Sequence, residues 1–381
     1  MTAPRPFRIQ VPDAVLADLR DRLARVRWPD EVPGSGWSYG TDLATMKDLV
    51  AYWRDGFDWR AQEADLNAWP QFVTEIDGLD VHFVHARGVG PNPMPLLVTH
   101  GWPGSIVEFQ KLLPRLTDPA KFGGDPRDAF TVIAPSLPGY AFSFRPNQRR
   151  VDLKVVADMF ATLMTELGYP RFGAQGGDWG AFVTTCLGAF HPERMTGIHV
   201  TLLAAGRDTT PGATPSDEER AYLDQLARWE REETGYQWIQ GTKPQTLAYG
   251  LTDSPVGLLA WILEKFRAWT DCRGDVLDHI GRDTLLTNVT IYWVTGAINS
   301  SFWPYYWRRH ERWPIPLGQR IDVPTGYASF PKEILHVPRA WAERAYDVRR
   351  WTVMKAGCHF AALEEPEALA TEIAEFFRPL R

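Results

Sequence analysis

The sequence predicts an α/β fold with a mostly parallel central sheet, a helical insertion late in the chain and a separate segment at the N terminus. From about residue 95, short apolar runs alternate with stretches of helical periodicity. This alternation is typical of strands that helices bury on both faces. It stops near Leu203 and returns at Val323. Before it begins, apolar positions at helical spacing precede any strong strand, which indicates a unit of its own.

The strands and domain boundaries are predicted in order along the chain. Asp77-Gly78 favours the positive backbone angles of a tight turn, so residues 72–76 and 79–86 should form a hairpin that begins the sheet. Further strands are predicted at 95–99, 130–134, 171–175, 197–201, 323–330 and 351–355. Proline and acidic residues at 365–367 open a last helix that runs toward Phe377. The chain then divides into an N-terminal segment, 1–92, a core, 93–205 with 322–381, and a helical lid, 206–321.

Composition and charge exclude several classes of protein. The chain has 381 residues, 44% of them hydrophobic, and a net charge of −6, which offers no positive field for nucleic acid. Its three cysteines, Cys186, Cys272 and Cys358, form no C-x-x-C pair, which argues against a disulfide scaffold and a thiolate zinc site. We find no signal segment and no apolar run that could span a bilayer. We therefore expect a cytoplasmic protein without a nucleic-acid or membrane partner, and leave homo-oligomer formation open.

The sequence carries no pattern for a metal or cofactor. His82 and His85 are three residues apart in a predicted strand, so their side chains point to opposite faces. The H-E-x-x-H motif and a glycine-rich phosphate loop are both missing. We expect neither a metal nor a cofactor.

A candidate nucleophile stands in the stretch Gly176-Gly177-Asp178-Trp179-Gly180, between a predicted strand and a predicted helix. The spacing is that of the strand-to-helix turn G-x-nucleophile-x-G, in which small neighbours let one side chain project. Esterases carry serine there, whereas this chain carries Asp178. A carboxylate is already anionic at neutral pH, so it can attack an electrophilic carbon without a base. The alternative is that Asp178 only caps the following helix.

Two backbone donors are predicted for an oxyanion hole, the site that stabilises a negatively charged oxygen. One is the N–H of Trp179, directly after the nucleophile, and the other is the N–H of Trp102, in the turn 100–105 after an early strand. His100 begins that turn. We interpret His100 as a structural residue beside the site rather than a catalytic one.

The base and its acid partner should follow the last two predicted strands. His359 lies on the loop after strand 351–355, where the chain order nucleophile, acid, histidine puts the base. Glu333 follows strand 323–330 and is our candidate acid. Asp322 precedes that strand and Asp347 lies in a predicted helical stretch, so both are less suitable.

These residues resemble the microsomal-type epoxide hydrolases, which have the α/β-hydrolase fold. The similar blocks occur in the family's order at 100–105, 136–143, 176–180, 236–244, 253–257, 291–293 and 357–367. The resemblance implies an N-terminal segment that wraps the core, Asp178 as nucleophile and Glu333 with His359 as the charge-relay pair. It also implies that Tyr236 and Tyr305, in the insertion, hold the epoxide oxygen, although the neighbouring Tyr306 remains an alternative. The membrane anchor of the animal enzymes is absent, so the chain resembles a soluble bacterial-type member.

The expected function is hydrolysis of an epoxide to a vicinal diol through a covalent ester on Asp178. Neutral phenols suit this reaction, because an opening ring develops alkoxide character that a phenol can hydrogen-bond and then protonate. The predicted lid contains Trp238, Trp261, Trp269, Trp293, Trp303 and Trp307. If some of these line its cavity, the epoxide is apolar or aromatic. The partners are then the epoxide and water, in detoxification or in natural-product biosynthesis.

The sequence offers two alternative functions. A haloalkane dehalogenase also attacks carbon with an aspartate, but its halide leaves without an acid, so paired lid tyrosines favour the epoxide. A non-catalytic ligand-binding α/β-hydrolase relative would usually lack one catalytic residue, whereas this chain offers a candidate for each.

Overall fold

The central sheet has nine strands in the part of the chain that the structure describes. The structure is a computed structural model that describes residues 3–203, 215–316 and 318–381, so the predicted boundary between 205 and 206 lies outside it. The strands are β1 Arg5–Phe7, β2 Gln71–Ile76, β3 Leu79–Ala86, β4 Met94–Thr99, β5 Phe130–Pro135, β6 Phe172–Gly176, β7 Met195–Val200, β8 Ile321–Ser329 and β9 Tyr346–Val353. Their order is β1-β2-β3-β5-β4-β6-β7-β8-β9. The six strands from β5 to β9 in that order pair in parallel, and the first three are antiparallel.

Some helices pack around the sheet, and others form a separate lid. The N-terminal segment contributes α1 Asp13–Ala24, α2 Leu43–Asp55 and α3 Trp59–Leu66, and the core α4 Leu112–Thr117, α5 Leu153–Glu166 and α6 Asp178–Phe190. Residues 215–316, called the lid from here on, hold α7 Asp217–Glu232, α8 Gly235–Thr242, α9 Pro244–Asp253, α10 Pro255–Ala268, α11 Val276–Ile280, α12 Arg282–Thr295 and α13 Trp303–His310. The core ends with α14 Arg339–Ala345, α15 Ala361–Glu364 and α16 Pro366–Phe377. Among the helices described, none is long and apolar enough to cross a membrane.

The predicted hairpin is confirmed. Strands β2 and β3 pair antiparallel with Ile76 opposite Leu79. Asp77 and Gly78 between them have φ values of 52° and 76°, the left-handed backbone that a two-residue turn of this type requires. This turn sets the register of the antiparallel part of the sheet.

Two strand predictions were wrong in detail. The structure places β9 at Tyr346–Val353 rather than at 351–355, so Asp347 lies in a strand and not in a helical stretch. Strand β9 forms the edge of the sheet, so its side chains are half-exposed and several are charged. Pairing with β8 holds the strand in the sheet. Strand β8 begins at Ile321, so Asp322 lies inside it. The three-residue β1 was not predicted at all.

The N-terminal segment packs on the lid as well as on the sheet. Trp53 Nε1 donates to Thr290 Oγ1 at 3.1 Å, and the Tyr52 hydroxyl donates to Asp283 Oδ1 at 2.8 Å. Both acceptors belong to α12. Helix α2 therefore supports α12 from the outside of the molecule.

Candidate active site

The turn between β6 and α6 presents Asp178 in a strained conformation. Asp178 has φ +46°, a left-handed angle that non-glycine residues rarely adopt. Glycine is needed on both sides of it for space. A Cβ on Gly176 would lie 2.3 Å from the Gly180 backbone, and one on Gly180 would lie 2.0 Å from the Thr99 carbonyl oxygen. The tight turn therefore allows the carboxylate to project, with 19% of the side chain exposed.

The loop after β4 passes directly against this carboxylate. Trp102 N donates to Asp178 Oδ1 at 2.8 Å. A Cβ on Gly101 would lie 2.2 Å from the same Oδ1 atom, so only glycine allows the loop to come this close. One predicted backbone donor is therefore already in contact with Asp178. The other, Trp179 N, belongs to the first turn of α6, where N–H groups lack intrahelical acceptors.

Helix α12 of the lid fixes the position of that loop. Asn288 Nδ2 donates to Pro103 O at 2.8 Å, and its Oδ1 accepts from Ser105 Oγ at 2.7 Å. The Tyr292 hydroxyl donates to Gly104 O at 2.8 Å. All these groups are buried. Asn288 and Tyr292 were not found from the sequence, because nothing local to them indicates which loop they contact.

His359 and Glu333 meet beside the carboxylate. His359 Nδ1 lies 2.7 Å from Glu333 Oε1, and His359 Nε2 lies 3.2 Å from Asp178 Oδ2. The side chains of His359 and Glu333 are 1% and 0% exposed. Asp322 is exposed, and Asp347 pairs with Arg320 and Arg349. Of the three candidate acids, Glu333, Asp322 and Asp347, only Glu333 contacts the histidine.

Two opposing effects set the pKa of His359. Burial lowers the pKa, because a charged ring is poorly solvated inside the protein. The negative charge of Glu333 and the contact with Asp178 raise it, and together they prevail. The pKa of His359 therefore lies well above its usual value. The imidazole is held as a cation between two carboxylates as long as both are charged.

Tyr236 and Tyr305 bring their rings to the same place from α8 and α13. Their ring centroids are 5.6 Å apart, and Tyr236 stacks on Trp102 at 5.3 Å. Tyr305 packs edge-on against Trp179 at 4.9 Å. Burial raises the pKa of both phenols far above the usual value, so both stay neutral. Tyr306 instead stacks on Trp303 and His310.

Two other buried histidines, His100 and His82, have structural hydrogen bonds. His100 Nε2 accepts from Leu137 N at 3.1 Å, which leaves Nδ1 to donate to Gly101 O at 3.0 Å. Burial lowers its pKa to about 4, so it is neutral at neutral pH. His82 forms hydrogen bonds with Ser136 and Gln71. This position is compatible with the expectation that His82 and His85 point to opposite faces of their strand.

Glu108 is a second carboxyl group near the site, and it was missed. Its side chain keeps some exposed surface but folds back into the turn, where a Cβ on Gly104 would lie 1.6 Å from its Oε1. Burial raises its pKa to about 8. The nearby charge of His359 and an N–H bond from Gly101 act in the opposite direction. The pattern Ser105-x-x-Glu108 at the start of a helical turn was the available signal.

A cavity of about 1050 Å³ lies between core and lid. Its buried end reaches Trp179 and Tyr305, and its walls are largely apolar, with Phe182, Tyr222, Trp229, Leu335, Val337 and Trp341. The predicted catalytic residues and both backbone donors thus meet at one place, next to an apolar cavity. In the described part of the chain, no group of three or more His, Cys, Asp or Glu is arranged to hold a metal ion.

Comparison with known proteins agrees with this architecture. Residues 4–109 match the family model described as epoxide hydrolase N terminus, and residues 94–236 match that of the alpha/beta hydrolase fold. A Stigmatella aurantiaca protein, itself an inferred epoxide hydrolase, is 44% identical over 99% of this chain and 85% of its own length. Epoxide hydrolase 1 of Oryctolagus cuniculus is 39% identical over 98% of this chain and 88% of its own length. The crystal structure of juvenile hormone epoxide hydrolase from Bombyx mori covers 100% of this chain and 95% of that one, with TM-score 0.90 and 30% identity.

The sheet order and the turn that carries Asp178 are those of an α/β hydrolase, as the matching fold model also shows. Within that class, the identity extends over nearly the whole chain, including the N-terminal segment. The chain belongs to the microsomal-type epoxide hydrolase family, and it is an enzyme that hydrolyses epoxides.

Proposed function

We propose that the protein converts an apolar or aromatic epoxide to a vicinal diol through an ester on Asp178, with His359 as base and Glu333 as its acid partner. One observation carries the proposal. The two oxygens of Asp178 have different neighbours, Trp102 N at Oδ1 and His359 Nε2 at Oδ2. This difference assigns a separate task to each oxygen.

In the first step, Asp178 Oδ2 attacks an epoxide carbon and the carbon–oxygen bond of the ring breaks. The epoxide oxygen becomes an alkoxide, which takes a proton from Tyr236 or Tyr305. Both hydroxyls are neutral donors because their pKa values are raised by burial. Hydrogen bonds of this kind are strongest when charge develops, so they favour the transition state over the bound substrate.

In the second step, His359 Nε2 takes a proton from water, and the hydroxide attacks the ester carbon of Asp178. The negative charge collects on Oδ1, which already accepts from Trp102 N. Trp179 N, in the first turn of α6, is the second donor. The intermediate collapses and the bond from the carbon to Oδ2 breaks. The departing oxygen takes the proton that the attacking hydroxide brought, so the diol leaves with Oδ2 and Asp178 is again a carboxylate. Glu333 stabilises the imidazolium that forms.

The charge of Asp178 links the two steps. Before alkylation, two carboxylates keep the pKa of His359 raised, and a protonated ring cannot accept a proton from water. Ester formation neutralises Asp178 and so removes one of the two charges that raise the pKa. The pKa of His359 then falls, and its proton passes to the tyrosine that protonated the alkoxide, which becomes neutral again. The ring is thus a base when the ester is present to be hydrolysed.

The cavity supports the apolar or aromatic substrate. Tryptophan, tyrosine and aliphatic side chains line the wall between the site and the open end. Such walls bind a hydrophobic group and exclude bulk water, apart from the molecule that the second step consumes.

A single-turnover reaction in heavy-oxygen water tests the covalent route. The heavy oxygen is expected in the peptide that contains Asp178, and unlabelled enzyme oxygen in the first diol. The His359→Gln variant should accumulate the ester, because only the second step needs the base. His191→Gln is the control, since His191 pairs with Asp158 away from the site. A label found in the diol alone, with none in the peptide, would exclude the ester.

A further inference from the structure

We infer that the open end of the cavity binds a carboxylate, so that preferred substrates are epoxides on an apolar chain that ends in an anion. The inference rests on the proposed function, because it concerns the outer end of the cavity whose inner end reaches Trp179 and Tyr305.

The charged side chains in the described lining of the cavity are all positive. Its described lining contains four arginines, Arg308, Arg309, Arg312 and Arg344, all exposed, and no aspartate or glutamate. The chain as a whole has a net charge of −6. A concentration of positive charge at the entrance of an apolar cavity is therefore a local feature, and it attracts an anion toward the cavity.

Two of these arginines have no polar partner among the residues that the structure describes. Arg309 lies over the ring of Trp238 at 3.6 Å, and Arg344 lies 3.9 Å from Glu219. Arg308 and Arg312 form neither an ion pair nor a hydrogen bond with any residue that the structure describes. Their guanidinium groups are therefore available to a ligand. A guanidinium can bind a carboxylate through two parallel hydrogen bonds.

The helix dipole does not account for the cluster. The helix dipole stabilises basic residues in the last turn of a helix. This explains the positions of Arg308 and Arg309 in α13 and of Arg344 in α14. Arg312 lies beyond the end of α13. The dipole also gives no reason for these side chains, from two separate helices, to border the same cavity.

The distance between Tyr305 and Arg308 along α13 determines how far the anion of the ligand must lie from the epoxide. Tyr305 and Arg308 are three residues apart on this helix, so at 1.5 Å per residue Arg308 starts about 4.5 Å further along the axis. Both side chains line the cavity. An epoxide held at Tyr305 can thus extend an apolar chain toward the arginines. The anion must be separated from the epoxide by several bonds.

The test is a series of terminal epoxy alkanoic acids of increasing length, each compared with its uncharged methyl ester at neutral pH. We expect kcat/KM for the acid to exceed that for the ester by about ten-fold or more at the best length, mainly through KM. High salt should reduce this ratio, because ions screen exposed charges. The Arg308→Gln and Arg312→Gln variants should each lower the ratio about three- to ten-fold, and the double variant should bring it close to one.

Arg20→Gln is the matched control. Arg20 is an exposed helical arginine outside the cavity, so this variant changes the net charge equally and should keep the wild-type ratio. A wild-type ratio of one or less at every chain length would overturn the inference. So would a ratio that the double variant leaves unchanged.

A binding titration separates this inference from the proposed function. Saturated alkanoic acids without an epoxide should quench the cavity tryptophans at about ten-fold lower concentration than their methyl esters, and the double variant should remove the difference. If the esters are hydrolysed but acids gain nothing in either assay, only the carboxylate site is wrong. If no epoxide in the series alkylates Asp178, the proposed mechanism is wrong, and the titration still decides whether an anion binds.

Discussion

Replacing Glu333 with glutamine is expected to slow hydrolysis of the ester while leaving ring opening nearly unchanged. Glu333 Oε1 lies 2.7 Å from His359 Nδ1 and also accepts from Ile334 N at 2.7 Å. A glutamine oxygen can accept both bonds, so the variant removes the charge and keeps the geometry. Both side chains are buried, so solvent screens little of that charge.

The magnitude follows from the type of bond that is lost. A hydrogen bond to a charged group contributes about 1.5–3 kcal/mol, against about 1 kcal/mol for a neutral one. The difference is about 0.5–2 kcal/mol, so at 1.4 kcal/mol per factor of ten, losing the charge slows the second step by about two- to thirty-fold. The charge of Glu333 also raises the pKa of His359, so the glutamine variant lowers that pKa and weakens the base. The first step does not use His359 as a base and should change less than about three-fold.

Stopped-flow fluorescence can measure the two steps separately, since Trp102 and Trp269 lie within contact distance of Tyr236 and His359. The expected trace is a fast change on alkylation followed by a slow recovery. Asp347→Asn is the control, because this carboxylate pairs with surface arginines and should give wild-type kinetics. Equal slowing of both phases in Glu333→Gln would refute the assignment of Glu333 to the second step.

Tyr305→Phe should slow ring opening by about ten- to a thousand-fold in single-turnover assays. Tyr306→Phe should not, since that ring stacks on its helix neighbours outside the cavity lining; the reverse result would move the assignment by one residue. Gly101→Ala should abolish turnover through the 2.2 Å clash with the nucleophile, while Gly250→Ala, with open space at its Cβ, stays active; an active Gly101→Ala would contradict the geometry. Glu108→Gln should be more stable than wild type at high pH, by a few kcal/mol at most. Burial raises the pKa of the Glu108 carboxyl from 4.5 to about 8, so wild type loses stability as the pH rises from about 4.5 through about 8. Urea unfolding at about pH 5 and about pH 9 checks this, and a pH-independent difference would show that Glu108 is not protonated in the fold.

The features that could be predicted from sequence depend on residues close together in the chain. The turn at Asp178 is one, because both glycines of its motif, Gly176 and Gly180, stand within five positions. The hairpin at Asp77-Gly78 is another, because two positive φ values at adjacent residues decide it. The acid and base could be located because loops after parallel strands meet at one edge of the sheet.

The features that were missed depend on contacts between distant segments. Nothing near Asn288 or Tyr292 in the sequence indicates that they hold the loop of Trp102, because the contact depends on how α12 crosses the core. Strand β9 was placed too late because its charged edge residues lack the apolar run of a buried strand. The buried state of Glu108 likewise depends on how the loop at Gly101 and Gly104 folds against its side chain.

The support that α2 gives to α12 extends the catalytic machinery to the start of the chain. Trp53 contacts α12 on one side, and on the other side Asn288 and Tyr292 hold the loop whose Trp102 N–H touches the nucleophile. Along this path, α12 and the loop after β4 are the two elements that separate α2 from the nucleophile. Libraries designed to alter turnover or selectivity should include α2, although no side chain of that helix faces the substrate cavity.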